Sequence, residues 1–298
     1  AKIYAAKGRP SDNPLIVHIA DWEAIGAIVS EIPEAAKRLA DAFWPGPLTM
    51  ILNKSDLVPY ATTGGLETVA VRMPVNPIAR ALIRAGGGYV AAPSANTSGR
   101  PSPTKAEHVA EDLNGKIDMI IDGGTVDIGL ESTIVDLTDG APTILRPGYI
   151  NQEMLTKVLG EVEMDGGLIA PESGVHPKAP GMKYRHYAPK ADMIIVEGEA
   201  EKVRRKINEL VQQQISEGKK VGVIGTDESL SYYKDGDVRS IGSRKDEITI
   251  AQHLFGLLRE FDESDISVIY SEAFETPQIG QAIMNRLIKA AGHQIIRV

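Results

Sequence analysis

The sequence predicts a mixed α+β domain built on a twisted sheet, followed by a small α/β domain with a mainly parallel sheet. Three observations predict this. From residue 1 to about 160, short apolar strands outnumber the helices between them and follow no regular alternation. From 161 to 190 the chain is rich in Gly and Pro and has little periodicity, as a linker does. From 191 to 298 strands and amphipathic helices alternate. The length of 298 residues suits about two domains. The expected boundaries are 1–160, 161–190 and 191–298.

Element by element, "AKIYAAK" before Gly8 reads as the end of a helix with a glycine C-cap. So short a helix is not stable alone, and sequence N-terminal to Ala1 is expected to complete the first domain. "PLIVHIAD" (14–21) is a strand apolar on both faces. "PEAAKRLADAFW" (33–44) puts Ala36, Leu39, Ala40 and Phe43 on one helical stripe. "PGPLTMIL" (45–52) is a turn then a strand, and "ETVAVRMP" (67–74) a strand closed by proline. "NPIARALIRAGGG" (76–88) is a helix with a glycine exit into the strand "YVAAPS". "PTKAEHVAEDL" (103–113) is a helix, "KIDMIIDGG" (116–124) a strand, and "STIVDL" and "TILRPG" a strand pair. A short helix covers 151–160. After the linker come "ADMIIVEG" (strand), "EKVRRKINELVQQQISEG" (helix), "KKVGVIGT" and "DVRSIGS" (strands), "DEITIAQHLFGLLREFDE" (helix), "DISVIYSEA" (strand), "PQIGQAIMNRLIKAAG" (helix) and "HQIIRV" (strand).

Composition narrows the function. The chain has no cysteine, which removes disulfides, a Cys nucleophile and any Cys-ligated metal. No apolar run approaches the 18 residues of a membrane helix. The formal net charge of −8 argues against a broad grip on nucleic-acid phosphates.

The common nucleotide and hydrolase signatures are absent. There is no G-x-x-x-x-G-K-[ST], H-E-x-x-H or G-x-S-x-G. "GGGYVA" (86–91) follows a helix and precedes a strand, the reverse of the dinucleotide-binding order. "VGVIGT" reads as a turn after a strand. The six histidines are scattered, so no metal-ligand spacing can be drawn.

Polar groups nevertheless gather at the ends of apolar segments in the first domain. These are Lys7 and Arg9 after the opening helix, His18 in "PLIVHIAD", Thr63 before Gly64-Gly65, and Arg72 in "VAVRMP". Ser94 and Asn96 follow "YVAAP", Ser132 opens a strand, and Arg146 sits in "LRPG". Each has an ordinary explanation. Lys7 and Arg9 could be solvated charges at a helix C-terminus, Ser94 and Asn96 loop residues, and Arg146 an ion-pair partner. Arg72 is harder to dismiss, because a flanked Arg is costly to bury unpaired. It sits at an edge, pairs with an acid, or holds an anion. Together the set suits anion binding and phosphoryl or nucleotidyl chemistry. Within the linker, Lys183, Tyr184, Arg185, His186 and Tyr187 form a compact basic-aromatic group that a plain spacer does not need.

At these residues the chain resembles a known family, the two-domain Sua5/YwlC members of the YrdC family of threonylcarbamoyl-AMP synthases. The matching stretches are "AKGRPSDNPLIVHIAD", "FWPGPLT", "TVAVRMP", "AAPSANTSGRPSPTKAEHV", "ESTIVD", "LRPG", "APGMKYRHYAP" and "AIMNR", spanning residue 5 to about 287. The resemblance implies a YrdC-like twisted-sheet domain followed by a Rossmann-like Sua5 domain. It implies condensation of L-threonine, bicarbonate or CO2 and ATP into threonylcarbamoyl-AMP and pyrophosphate, with Mg2+, in the cytoplasm. Other proteins then transfer the group to adenosine 37 of tRNA, forming t6A; direct tRNA contact is a further possibility of the resemblance. Carried over by motif, Lys7, Arg9, Ser94, Asn96, Arg146 and Tyr187 bind ATP. His18, Thr63, Arg72 and Ser132 surround threonine, and Tyr184 and His186 lie in a linker folding over the site. No residue is assigned a covalent or acid–base role, and no metal ligand is identified. The family's usual N-terminal P-T-E-T-V-Y-G-L-G-like stretch is absent, which leaves part of the threonine site unfilled. The competing readings are a nucleotide- or RNA-binding module without catalysis, a different carbamoyl-transfer enzyme sharing the domain, and a purely structural role.

Overall fold

Residues 2–168, 186–274 and 278–298 are described by a computed structural model. The chain divides into two compact units. One comprises Ala1–Ala95, Gly115–Gly123 and Glu131–Tyr184, the other Asn96–Asn114, Gly124–Leu130 and Arg185–Val298. The division falls inside the Ser94-Ala95-Asn96 stretch.

In chain order to residue 168 the elements are α1 (Lys2–Lys7), β1 (Ile16–Ile19), α2 (Ile25–Ile28), α3 (Glu34–Phe43), β2 (Leu48–Asn53), α4 (Tyr60–Thr63) and β3 (Thr68–Arg72). They continue with α5 (Pro77–Ala85), β4 (Tyr89–Ala92), α6 (Ala106–Leu113), β5 (Thr133–Asp136), β6 (Thr143–Arg146), α7 (Gln152–Leu159) and β7 (Glu163–Met164). Local chemistry explains several ends. Asn76 caps α5, its Oδ1 accepting from the backbone N–H of Ile78 and Ala79 at 3.0 Å, with Pro77 in the first turn. Asn151 caps α7 in the same way through the Met154 N–H, at 2.9 Å. Gly64 ends α4 in the left-handed region, at φ +66.

The first unit holds a seven-stranded mixed sheet in the order β4-β1-β3-β2-β5-β6-β7. Its larger core lies on one face. Val17 and Ile19 of β1, Val69 and Val71 of β3, Leu48, Met50 and Leu52 of β2 and Val135 of β5 pack there with Ile25, Ile28, Ala36, Leu39 and Leu155 from the helices. Ile16, Ala70, Ile51, Ile134 and Leu145 form a smaller cluster. The first four take the alternate positions, so they point from the other face.

The second unit carries a five-stranded sheet in the order β10-β9-β11-β8-β12, with every pair parallel. Its strands are β8 (Asp192–Glu197), β9 (Val221–Gly225), β10 (Asp237–Ser240), β11 (Val268–Glu272) and β12 (Ile295–Arg297). Its helices after the linker are α8 (Ala200–Ser216), α9 (Glu247–Asp262) and α10 (Gly280–Ala290). Parallel neighbours need crossover connections, and the helices supply most of them. This is the mainly parallel α/β domain expected from the alternation.

One element expectation is corrected. Residues 116–124 form no strand; Met119 is 74% and Ile121 50% exposed. A strand persists only where a neighbour takes its backbone groups, and no described strand pairs with this run. Conversely, β7 lies inside the stretch expected to be linker, paired to β6. The helical turns α2 and α4 are additional to the expected elements.

Candidate functional site

Strand pairing aligns five polar side chains at one end of the first sheet. Across β1 and β3, His18 stands opposite Arg72. Across β3 and β2, Arg72 stands opposite Thr49. Thr49 pairs with Ile134 of β5, which pairs with Arg146 of β6. Directly paired residues share a face, and Ser132, two positions before Ile134, shares it too. The row His18–Arg72–Thr49–Ser132–Arg146 therefore lies on the face that carries the small Ile16–Ile51–Ala70–Ile134 cluster, opposite the larger core.

The right-hand half of this row is tied together. Thr49 Oγ1 and Ser132 Oγ are 2.7 Å apart. Arg146 donates from Nε to the Ser132 carbonyl at 3.0 Å and from Nη2 to Ser132 Oγ at 3.1 Å. Thr133 donates from Oγ1 to the Ile150 carbonyl at 2.7 Å. Gly148 makes this possible by close approach. A Cβ there would meet Thr133 N at 2.5 Å and the Glu131 carbonyl oxygen at 2.8 Å.

The left-hand half is less satisfied. Arg72 donates from Nε to the Gly46 carbonyl at 3.1 Å and has no carboxylate partner among the described residues. Burial lowers its pKa from the ordinary guanidinium value, yet it stays a cation. Burial first, and then the neighbouring Arg72 charge, push the His18 imidazole down to about 4. His18 is therefore neutral at pH 7. Its Nδ1 lies 3.1 Å from the Ile16 carbonyl oxygen, which can only accept, so Nδ1 carries the proton. The row thus offers a guanidinium with no acid beside it among the described residues, next to a neutral imidazole, a setting for a carboxylate.

A second polar group sits at the other end of β1. Lys7, buried at the end of α1, donates from Nζ to the Ser94 carbonyl at 2.6 Å. Arg9 is buried and donates to the Pro14 carbonyl at 2.9 Å, just before β1. Thr63 closes α4 beside it: the Leu15 N–H donates to the Thr62 carbonyl at 2.9 Å. The Thr63 hydroxyl donates to the Leu66 carbonyl at 2.7 Å. Ser94 itself is exposed just beyond β4. β1 is four residues long, so the two groups stand about 10 Å apart at 3.3 Å per residue.

Grouping by sheet end thus cuts across the grouping by expected ligand. Arg146 stands with His18, Arg72 and Ser132, and Thr63 with Lys7, Arg9 and Ser94. Thr49 joins the row without having been singled out from sequence; its signal was a hydroxyl at the first strand positions after "PGP".

Asn96, His186 and Tyr187 belong to the second unit. Asn96 is buried, its amide donating to the Thr97 and Arg100 carbonyls at 2.9 and 3.0 Å. Tyr187 adopts φ +65; its ring centroid lies 5.0 Å from that of Phe255 and 5.5 Å from that of His186. Tyr184 lies outside the described residues. Among the described residues no cluster of three or more His, Asp or Glu could hold a metal ion, and no helix is long and apolar enough to cross a membrane.

Comparison with known proteins gives consistent results. Residues 1–148 match the Sua5/YciO/YrdC family, described as telomere recombination, and residues 150–292 match the family described as threonylcarbamoyl-AMP synthase, C-terminal domain. A threonylcarbamoyl-AMP synthase of Pyrococcus abyssi is 53% identical over 100% of this chain and 85% of its own length. One from Bacillus subtilis is 50% identical over 99% of this chain and 84% of its own. The crystal structure of P. abyssi Sua5 complexed with L-threonine superposes with a TM-score of 0.94 at 52% identity, covering 100% of this chain and 85% of that one.

Proposed function

The chain belongs to the Sua5/YrdC family, and from that premise we propose that it is an L-threonylcarbamoyladenylate synthase. It joins L-threonine, bicarbonate or CO2 and ATP into threonylcarbamoyl-AMP, releasing pyrophosphate. The observation that carries this reading is Arg72, a part-buried cation with no acidic partner among the described residues, beside neutral His18. A guanidinium fork in that state fits the α-carboxylate of an amino acid.

Threonine takes the row of His18, Arg72 and Ser132, with Thr63 holding the turn at the far end of β1. Lys7, Arg9 and Ser94 take ATP phosphates and nucleotide. Arg146, assigned to ATP yet standing in the threonine row, marks where the two substrates meet. Asn96, Tyr187 and a lid of Tyr184 and His186 rest on the resemblance alone. The threonine amine captures CO2 as a carbamate, losing a proton to solvent. A carbamate oxygen then attacks the α-phosphorus, and the bond to pyrophosphate breaks. Lys7, Arg9 and Arg146 offset the charge that develops on the phosphate oxygens. Cationic and hydroxyl side chains dominate this face, so Mg2+ enters on the ATP phosphates as part of the substrate. The product serves cytoplasmic t6A formation on tRNA, passing to a transfer protein.

The test is pyrophosphate release with each substrate omitted in turn. Release that needs threonine, bicarbonate and ATP together is expected. Release indifferent to threonine or to bicarbonate would overturn the assignment.

A further inference from the structure

Packing alone does not explain a hydroxyl at Thr49. The residue lies in β2, is 0% exposed, and has all its partners inside the first unit. Its neighbours Leu48 and Met50 belong to the larger core, and Ile51, the next residue on its own face, belongs to the small apolar cluster. A valine there would match the shape and the strand preference of threonine without burying a polar group.

The hydroxyl has one partner among the described residues, Ser132 Oγ at 2.7 Å. Ser132 Oγ also accepts from Arg146 Nη2 at 3.1 Å. Each hydroxyl carries one hydrogen and two lone pairs. The two hydroxyls share a single bond, so one of their two hydrogens is left over. At Thr49 a surplus hydrogen would be sealed in the sheet with no acceptor, which is costly with or without a ligand. At Ser132 it stands just ahead of β5, in the polar row, where a bound ligand satisfies it. Thr49 is therefore the donor. Ser132 Oγ then accepts twice, from Thr49 and Arg146, and its own hydrogen points to a ligand.

The Ser132 backbone is held without Thr49. Arg146 Nε donates to the Ser132 carbonyl at 3.0 Å, the Thr133 N–H donates to the Pro47 carbonyl at 3.0 Å, and Thr133 Oγ1 to the Ile150 carbonyl at 2.7 Å. What Thr49 adds is the orientation of one side-chain rotor. Two incoming hydrogen bonds also polarise the Ser132 O–H and make it a better donor. Arg72 stands opposite Thr49 in β3, so this donor follows the guanidinium along the row. We propose that Thr49 is a positioning residue for threonine: it fixes the Ser132 hydroxyl as a hydrogen-bond donor to an oxygen of the bound amino acid. Both lone pairs of Ser132 are occupied, so the ligand atom it meets is an acceptor and the threonine ammonium lies elsewhere. The inference rests on the assignment of Ser132 to threonine.

The test is a double-mutant cycle on the full chain with Thr49→Val, Ser132→Ala and both together, and with Thr49→Ser beside it. Dissociation constants for L-threonine and for ATP are measured by calorimetry, alongside Tm. Ser132→Ala should weaken threonine about tenfold, and Thr49→Val about three- to tenfold with little change in Tm. In the Ser132→Ala background Thr49→Val should change threonine affinity by less than about twofold, because the hydroxyl it orients is gone. Thr49→Ser keeps the hydrogen bond and loses a buried methyl, so Tm should fall while threonine affinity returns to within about twofold of the unaltered chain. ATP affinity should stay within about twofold in both Thr49 variants, since Arg146 keeps its bond to the Ser132 carbonyl. Threonine affinity unchanged in Thr49→Val, an equal loss with and without the Ser132 hydroxyl, affinity that follows Tm across the two Thr49 variants, or threonine and ATP affinities falling together overturns the proposal. Should Thr49→Val fail to fold, Thr49→Ala enters the same cycle. If Ser132→Ala weakens threonine while Thr49→Val does not, positioning fails and the site assignment stands. If Ser132→Ala leaves threonine binding intact, or the unaltered chain binds no threonine, the assignment fails and the proposal with it.

Discussion

Replacing Arg72 by Met should separate binding from stability. The described residues give Arg72 one hydrogen bond, from Nε to the Gly46 carbonyl at 3.1 Å, and no acid. Its remaining N–H donors are the ones a threonine carboxylate would take. A charge-assisted hydrogen bond contributes about 1.5–3 kcal/mol, and a forked pair about twice a single bond less the loss of hydration. We take about 3 kcal/mol, which at about 1.4 kcal/mol per factor of ten is roughly a 100-fold weaker threonine complex. Stability should behave differently. Met keeps the length of the stem and removes a cation whose burial is unfavourable, while the lost Gly46 contact costs about 1 kcal/mol. The two nearly offset, so unfolding free energy should move by no more than about 1 kcal/mol. Calorimetric titration with L-threonine and with ATP, paired with urea unfolding, reads both. A threonine affinity within about threefold of the unaltered chain would refute the reasoning, as would an equal loss of ATP affinity.

Two further outcomes follow from the same geometry. The His18 imidazole is pushed down to about 4 in the fold, against an ordinary value of 6.5. The unfolded chain thus binds more protons between these values. The contribution of neutral His18 is fully present above pH 6.5 and is lost as pH falls from 6.5 through 4, by about 3 kcal/mol in all. Urea midpoints at pH 7 and pH 4.5 should therefore converge in His18→Gln relative to the unaltered chain, and an unchanged gap would contradict this. Gly148→Ala places a methyl 2.5 Å from Thr133 N and 2.8 Å from the Glu131 oxygen. It should cost about 1–3 kcal/mol and lower activity through Ser132 and Arg146; wild-type stability and rate would show that the turn yields freely.

Much of this was legible in the sequence, for identifiable reasons. Short apolar runs bounded by Gly and Pro located β1 to β6, because a strand buried on both faces must be apolar throughout. Alternation after residue 190 gave away the parallel sheet. The run 116–124 had the same apolar signature and formed no strand, since pattern reports what could pair and not whether a partner exists. The polar row was visible only as scattered residues. His18, Arg72, Thr49, Ser132 and Arg146 meet through strand order β1-β3-β2-β5-β6, which no local pattern encodes. For the same reason Thr63 and Arg146 changed neighbours. Asp112 in "AEHVAEDL" was not singled out from the sequence; its partner Arg259 lies far along the chain, and only packing reveals that both are buried.

The most direct measurement follows the carbon. The chain is incubated with ATP, L-threonine and 13C-bicarbonate, and the products are resolved by mass spectrometry. The account predicts a species carrying AMP, threonine and one 13C, formed in step with pyrophosphate and absent when threonine is withheld. Pyrophosphate without that species, or ADP and phosphate in its place, would contradict it.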